Sequence, residues 1–144
     1  MKRILVVEDD LSVGAAIQMM LGREGWDTVH APDAGRAMMA FESSPFDLAI
    51  VDIFMPRTDG LTVIARLRLQ TGSMPILAIS GFRFRDSMNP ALDILALAVQ
   101  AGAAVCLRKP FSRQELISAV HTGLETALGE VVPSDLPPPN GWAS

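Results

Sequence analysis

Cysteine is almost missing from this chain. Cys106 is the only one, which excludes an internal disulfide and a cysteine-based zinc site and fits a reducing compartment. Histidine is nearly as scarce: His30 and His121 lie far apart, and nothing in the sequence pairs them as metal ligands. A run of basic residues is also lacking. The formal net charge is −4 with no Lys/Arg cluster, so the electrostatic footprint of a nucleic-acid binder is not there. No apolar run approaches the roughly 18 residues that a membrane span needs. The signal-like start Lys2-Arg3 leads only to Ile4–Val7 before Glu8 interrupts it. These absences leave a soluble, cytoplasmic protein, with no nucleic-acid or membrane partner, as the expectation. What is present suits it: 144 residues, 49% of them apolar, suffice for one compact domain with a real core.

Short apolar runs alternate with stretches of helical periodicity. Arg3–Val7 reads as a strand, and Leu11 to about Arg23 as a helix with Val13, Ile17, Met20 and Leu21 inward, capped by Asp10 or Ser12 and ended by Gly22 and Gly25. Trp26–His30 reads as a second strand. Ala31-Pro32-Asp33 opens a helix to about Glu42, with Met38, Met39 and Phe41 as core filler rather than a cofactor box. Phe46–Val51 reads as a strand buried on both faces of a parallel sheet. Asp59 to about Gln70 reads as a helix with Leu61, Ile64, Ala65 and Leu67 inward and Arg66 and Arg68 in solvent. Met74–Ile79 and Ala103–Leu107 read as the fourth and fifth strands. Between them Ala91–Ala101 reads as a helix with Leu92, Leu95 and Val99 inward and Ile94 and Leu97 part-exposed. A last helix runs from Ser112 to about Leu128, with Ser112 and Glu115 placed as a capping box. This alternation predicts an α/β domain with a parallel sheet and right-handed crossovers. The domain is expected over residues 1–128, and Pro133, Pro137, Pro138 and Pro139 predict an extended, flexible tail over 129–144.

The strand ends carry the polar residues: Glu8 and Asp9 after the first, Asp52 after the third, Ser80 after the fourth, Lys109 after the fifth. In open α/β sheets the crevice beyond the carboxyl ends of the strands is where ligands bind. Three carboxylates meeting there need cations, because two unit charges at 4 Å repel by about 4 kcal/mol at an effective dielectric of 20. Lys109 supplies one. An all-oxygen acidic cluster suits Mg²⁺, a hard ion that keeps positions for water and phosphate oxygens. An aspartate, a Mg²⁺ site, a lysine and a hydroxyl together make a phosphoryl acceptor.

The motifs Ile4-Leu5-Val6-Val7-Glu8-Asp9-Asp10, Val51-Asp52-Ile53-Phe54-Met55-Pro56-Arg57-Thr58-Asp59-Gly60, Ile79-Ser80-Gly81 and Leu107-Arg108-Lys109-Pro110-Phe111 resemble those of the receiver domains of two-component response regulators. The likeness spans roughly Lys2 to Leu128. It implies a doubly wound, flavodoxin-like fold with a five-stranded parallel sheet of order 2-1-3-4-5. It further implies that Glu8, Asp9, Asp52 and the backbone carbonyl of Phe54 hold Mg²⁺ and that Asp52 takes the phosphoryl group. Ser80 would bind a phosphate oxygen, Lys109 would pair with the phosphate, and Lys109-Pro110 would be a cis peptide. The implied partners are a sensor histidine kinase or phosphotransfer protein and a downstream protein target. The implied activity is a response regulator's phosphorylation-dependent signalling in a phosphorelay, with no enzymatic turnover beyond the domain's own aspartyl phosphorylation and dephosphorylation. No output domain is read after Leu128, so a stand-alone receiver is expected.

Two departures from the family pattern bear on switching. The segment after Ser80 is about seven residues longer than usual by the same resemblance, and Cys106 stands where the family usually has a rotating Tyr or Phe, so Ser80 and Cys106 mark the switch. Phe82 and Phe84 in the longer segment are candidates to replace that rotor. Phe54 and Phe82 lie where many receivers have polar groups, which implies slow self-dephosphorylation. The exposed flank of Ala91–Ala101 is a candidate homodimer surface. Against a haloacid-dehalogenase-type hydrolase, Phe54 occupies the position of the second aspartate; against a flavodoxin-type carrier, Glu8-Asp9-Asp10 replaces the phosphate loop. The remaining alternative is a receiver-like docking module that works without phosphorylation.

Overall fold

Apolar residues alternate sides along five short strands, and this alternation sets the architecture. The computed structural model describes residues 2–55, 59–81 and 97–126. Its strands are β1 (Arg3–Val7), β2 (Asp27–Ala31), β3 (Leu48–Asp52), β4 (Ile76–Ser80) and β5 (Val105–Arg108), joined in one sheet of order β2-β1-β3-β4-β5. All four pairings are parallel, with registers such as Val6 opposite Ile50 and Asp52 opposite Ile79. The sheet is the one the sequence predicts.

One side chain in two from each inner strand points to each face. Ile4, Val6, Leu48, Ile50, Leu77, Ile79, Val105 and Leu107 pack with Ile17 and Leu21 of α1 (Leu11–Gly22) and with Leu116, Ala119 and Val120 of α5 (Arg113–Thr126). On the other face Leu5, Val7, Ala49, Val51, Ala78 and Cys106 pack with Ala37 and Met38 of α2 (Ala34–Ser43), with Val63, Ile64 and Leu67 of α3 (Gly60–Gln70), and with Ala98 of the helical residues 97–101 (α4). Both faces of the sheet are thus dry, which is why its strands read as unbroken apolar runs.

Side-chain caps start the helices where the sequence suggests. Asp10 accepts from the Ser12 and Val13 amides at 2.9 and 3.1 Å, Asp33 from Arg36 at 2.8 Å, and Asp59 from Leu61 at 2.9 Å. Ser112 and Glu115 cap each other, with Glu115 N donating to Ser112 Oγ at 3.1 Å and Ser112 N to Glu115 Oε1 at 2.7 Å. Each cap is worth about 1 kcal/mol.

Several inward assignments differ. Ala31 ends β2 instead of opening α2, because extended Asp33 is the cap. Met39 is 69% exposed, its neighbours Ala37 and Met38 having taken the core positions. Ala65 is exposed and Val63 buried, since the 3.6-residue stripe of α3 runs through 60, 63, 64 and 67. Arg68 is only partly in solvent: its guanidinium folds back to the Thr71 carbonyl at 3.1 Å and the Gly102 carbonyl at 2.8 Å, and burial holds its pKa below the ordinary value. Gly102 ends α4 with φ of +123°, a left-handed conformation open to glycine, and Arg68 covers it. Val99 is 45% exposed rather than inward, because Ala98 points to the core; Leu97, also 45% exposed, lies as expected. The expectations for Phe82, Phe84, Leu92, Ile94, Leu95 and the tail over 129–144 lie outside the described residues.

Candidate functional site

Strand alternation carries straight on into the loops at the carboxyl edge. Glu8 follows Val6 in phase, Asp52 follows Ile50, and Lys109 follows Leu107, so all three belong to the α1/α5 side. There they meet. Lys109 Nζ lies 3.0 Å from Glu8 Oε1 and 3.2 Å from Asp52 Oδ2. The other Asp52 oxygen, Oδ1, accepts from the Phe54 amide at 2.9 Å, and Glu8 Oε2 accepts from the Asp10 amide at 3.2 Å. Glu8 and Asp52 are buried, with 1% and 3% of their surface exposed, and Asp9 is half-buried.

Rigid backbone sets these positions. The Ile53 amide donates to the Ile79 carbonyl at 2.9 Å, and the Lys109 amide to the Ser80 carbonyl at 2.8 Å, so the loops stay in register with the sheet. Gly60 opens α3 directly against the strand end: a Cβ there would lie 2.3 Å from the Asp52 carbonyl oxygen and 2.4 Å from Ile53 Cα. Phe54 pairs with Asp59 across the turn, and Lys109-Pro110 is cis.

The cluster carries an excess of negative charge. One carboxylate oxygen from each of Glu8, Asp9 and Asp52 lies within 4.8 Å of the others, against, among the described residues, the single ammonium of Lys109. Burial, then hydrogen bonding with and repulsion from Asp52, push the Glu8 carboxyl up to about 7 despite the opposing pull of Lys109. Burial works to lower the Lys109 ammonium, but the charge of Asp52 and the contacts with Glu8 outweigh it and hold the pKa above its ordinary value. A donor set made only of oxygens, short of positive charge, fits a hard divalent cation such as Mg²⁺ and no thiolate- or imidazole-seeking metal.

The cluster opens onto a cavity of about 620 Å³ whose lining includes Glu8, Asp9, Asp52 and Lys109 together with Val13, Phe54, Pro110 and Phe111. A carboxylate, an ammonium and an apolar wall therefore face one space. Ser80 and Cys106 do not line it. Ser80 falls in phase with Ala78, whose β5 partner is Cys106, on the opposite face, where Ser80 ends β4 almost buried and Cys106 is wholly buried, its thiol pushed up to about 12 by that burial. Sequence reasoning missed Gly60 and His30. His30 Nε2 lies 2.6 Å from the Glu8 carbonyl oxygen, and its only sequence signal is its place at the carboxyl end of β2, beside that of β1.

Comparison with known proteins agrees with this architecture. The family model for the response regulator receiver domain matches residues 4–121. The Bacillus subtilis alkaline phosphatase synthesis transcriptional regulatory protein PhoP is 33% identical over 119 residues, 83% of this chain and 47% of PhoP. Response regulator MprA of Mycolicibacterium vanbaalenii is 34% identical over the same share of the chain and 48% of its own length. The chain thus spans about half the length of these curated relatives. Among solved structures, NtrX from Brucella abortus superposes with a TM-score of 0.80 at 28% identity, over 89% of this chain and 28% of that one. The Francisella response regulator 1452 receiver domain gives 0.74 at 27% identity, over 88% and 98%. The fold and its acidic edge define an α/β signalling domain. The chain belongs to the response regulator receiver domains, a family of phosphorylation-based signalling.

Proposed function

We propose that this domain accepts a phosphoryl group on Asp52 from a phosphohistidine of a sensor histidine kinase or phosphotransfer protein in the cytoplasm, and signals to a downstream protein through contacts that depend on that group. The observation that carries this reading is Lys109 Nζ bridging Glu8 and Asp52 over an open cavity, with Asp9 beside them. Asp52, like Glu8, is held from two sides, here by the Phe54 amide and by Lys109, so its attacking oxygen is oriented before a donor arrives. That oxygen forms a bond to phosphorus as the phosphorus–nitrogen bond breaks, and the imidazole nitrogen leaves with the electron pair. Lys109 stabilises the charge that spreads over the phosphoryl oxygens, and the Ser80 hydroxyl, which lies outside the cavity lining, would have to turn toward the site to bind one of them. Glu8, Asp9, Asp52 and the Phe54 carbonyl would hold Mg²⁺, which supplies the remaining positive charge for the transferring group. Val13, Phe54 and Phe111 add apolar surface to the cavity lining, in keeping with slow loss of the phosphoryl group.

The proposed receiver unit covers residues 1–128, with 129–144 as its tail, and Leu97 and Val99 of α4 are the described part of the candidate homodimer surface. Docking without phosphorylation is kept as a second reading because Cys106 offers no ring to move. Intact-mass measurement after incubation with acetyl phosphate separates the two. Phosphoryl transfer requires a single added phosphate in the presence of Mg²⁺ and none with EDTA or in Asp52→Asn. Equal labelling of Asp52→Asn and the parent overturns the assignment, and an unlabelled parent leaves the docking reading.

A further inference from the structure

We propose that His30 is a positioning residue for the acidic pair: from the carboxyl end of β2 it fixes the backbone of Glu8, and so aims the Glu8 and Asp9 carboxylates at their cation. The inference rests on the Mg²⁺ reading above.

Glu8 lies just past β1, where a chain end would otherwise be free to turn. Its amide donates to the Ala31 carbonyl at 3.1 Å, and its own carbonyl lies 2.6 Å from His30 Nε2. A carbonyl oxygen only accepts, so Nε2 carries the proton and His30 is the donor. The two peptide groups that flank the Glu8 α-carbon are therefore both tied to adjacent residues of β2. With the backbone fixed, the carboxylate is set by the Asp10 amide on one oxygen and Lys109 on the other.

The imidazole occupies a place that exists only because residue 14 is glycine. A Cβ on Gly14 would lie 2.3 Å from His30 Cε1 and 2.4 Å from Nε2, closer than atoms can approach. Beside it, Gln18 Nε2 donates to Thr28 Oγ1 at 3.1 Å and holds α1 over β2. Gly14, His30 and the Glu8 carbonyl thus act as one unit, although they come from three elements. Groups that orient metal-ligating side chains from behind typically change metal affinity by about tenfold or more when removed.

Calorimetric titration of the full chain with Mg²⁺, paired with thermal melting in EDTA, tests this. His30→Phe keeps a ring and loses the donor; Gly14→Ala keeps the donor and fills its place; His30→Gln keeps an amide donor near the Nε2 position. The expected result is Mg²⁺ affinity lowered by about tenfold in the first two, most of it recovered in His30→Gln, and an imidazole N–H resonance at His30 that is slow to exchange in the parent and lost in Gly14→Ala. Melting in EDTA should not follow the same order, because a purely structural role would lower stability and leave the affinity of the folded fraction intact. Parent-like affinity in His30→Phe, or a His30→Gln as weak as His30→Phe, overturns the inference alone. A parent that binds no Mg²⁺ overturns it together with the metal reading.

Discussion

The two faces of the sheet treat their polar groups differently. On the α1/α5 side, Glu8, Asp52 and Lys109 continue the alternation of their strands and arrive within hydrogen-bonding distance of one another around an open cavity. On the opposite side, Ser80 continues the alternation of Ala78, whose β5 partner is Cys106, and Cys106 comes to rest in the apolar cluster shared with α2, α3 and α4. One face concentrates charge and leaves it reachable; the other buries a thiol and a hydroxyl where the family resemblance leads one to expect a mobile ring. The difference makes it testable whether the chemistry of this site and its readout are separable. Under the proposed function, phosphoryl acceptance would draw on the charged groups of the first face, while readout would involve the second, where Cys106 offers no ring to move.

The largest effect that would break this division is expected from Lys109→Met. It removes the only ammonium among the described residues that faces Glu8 and Asp52, and the rate of labelling from acetyl phosphate should fall by about 100-fold, the usual cost of deleting one preorganised charge-stabilising donor. A fall of only a few-fold would mean that the cation alone neutralises the site.

Cys106→Phe tests the other face. Forcing a ring into a position with no exposed surface should cost about 1–3 kcal/mol of stability by overpacking, measurable in urea, while labelling of the folded protein stays close to that of the parent. If labelling fell as far as in Lys109→Met, the two faces would not be independent.

A smaller effect follows from Glu8. Its carboxyl is raised to about 7 from 4.5 in the metal-free protein. A raised carboxyl contributes stability that is fully present below its unfolded value and is lost as pH rises through the folded one. The metal-free protein should therefore lose stability between about pH 4.5 and pH 7 and level off above. Mg²⁺ needs the carboxylate, so its affinity should rise over the same interval, by no more than about tenfold per pH unit, and the gain in melting temperature on adding Mg²⁺ should be greater at pH 8 than at pH 5.5. Equal gains at the two values would show that Glu8 does not titrate in this range.

Much of the fold was legible because the strands announce themselves as branched apolar runs and the helices as capped, periodic stretches. The strand-end residues could be read as a group because a parallel sheet delivers all its carboxyl ends to one edge. What could not be read depends on contacts between elements. Gly60 looks like an ordinary turn glycine until the Asp52 backbone is found against it. Arg68 has the spacing of a solvent residue, and only the tertiary fold brings the Gly102 carbonyl within its reach. His30 has no partner at any helical or strand spacing. Its partners, Gly14 and the Glu8 carbonyl, are brought to it by the packing of α1 over β2 and by the pairing of β1 with β2. Val99 faces outward because a helical stripe can be rotated by one residue, and Ala98 takes the core position.

The central claim, that the paired charges on the α1/α5 face make Asp52 a phosphoacceptor, is tested most directly by trapping the acyl phosphate with borohydride after incubation with acetyl phosphate and Mg²⁺, then sequencing the peptides. The account requires reduction to homoserine at position 52 alone, dependent on Mg²⁺. Reduction at Glu8 or Asp9, or none at any carboxylate of a protein that binds Mg²⁺, would contradict it.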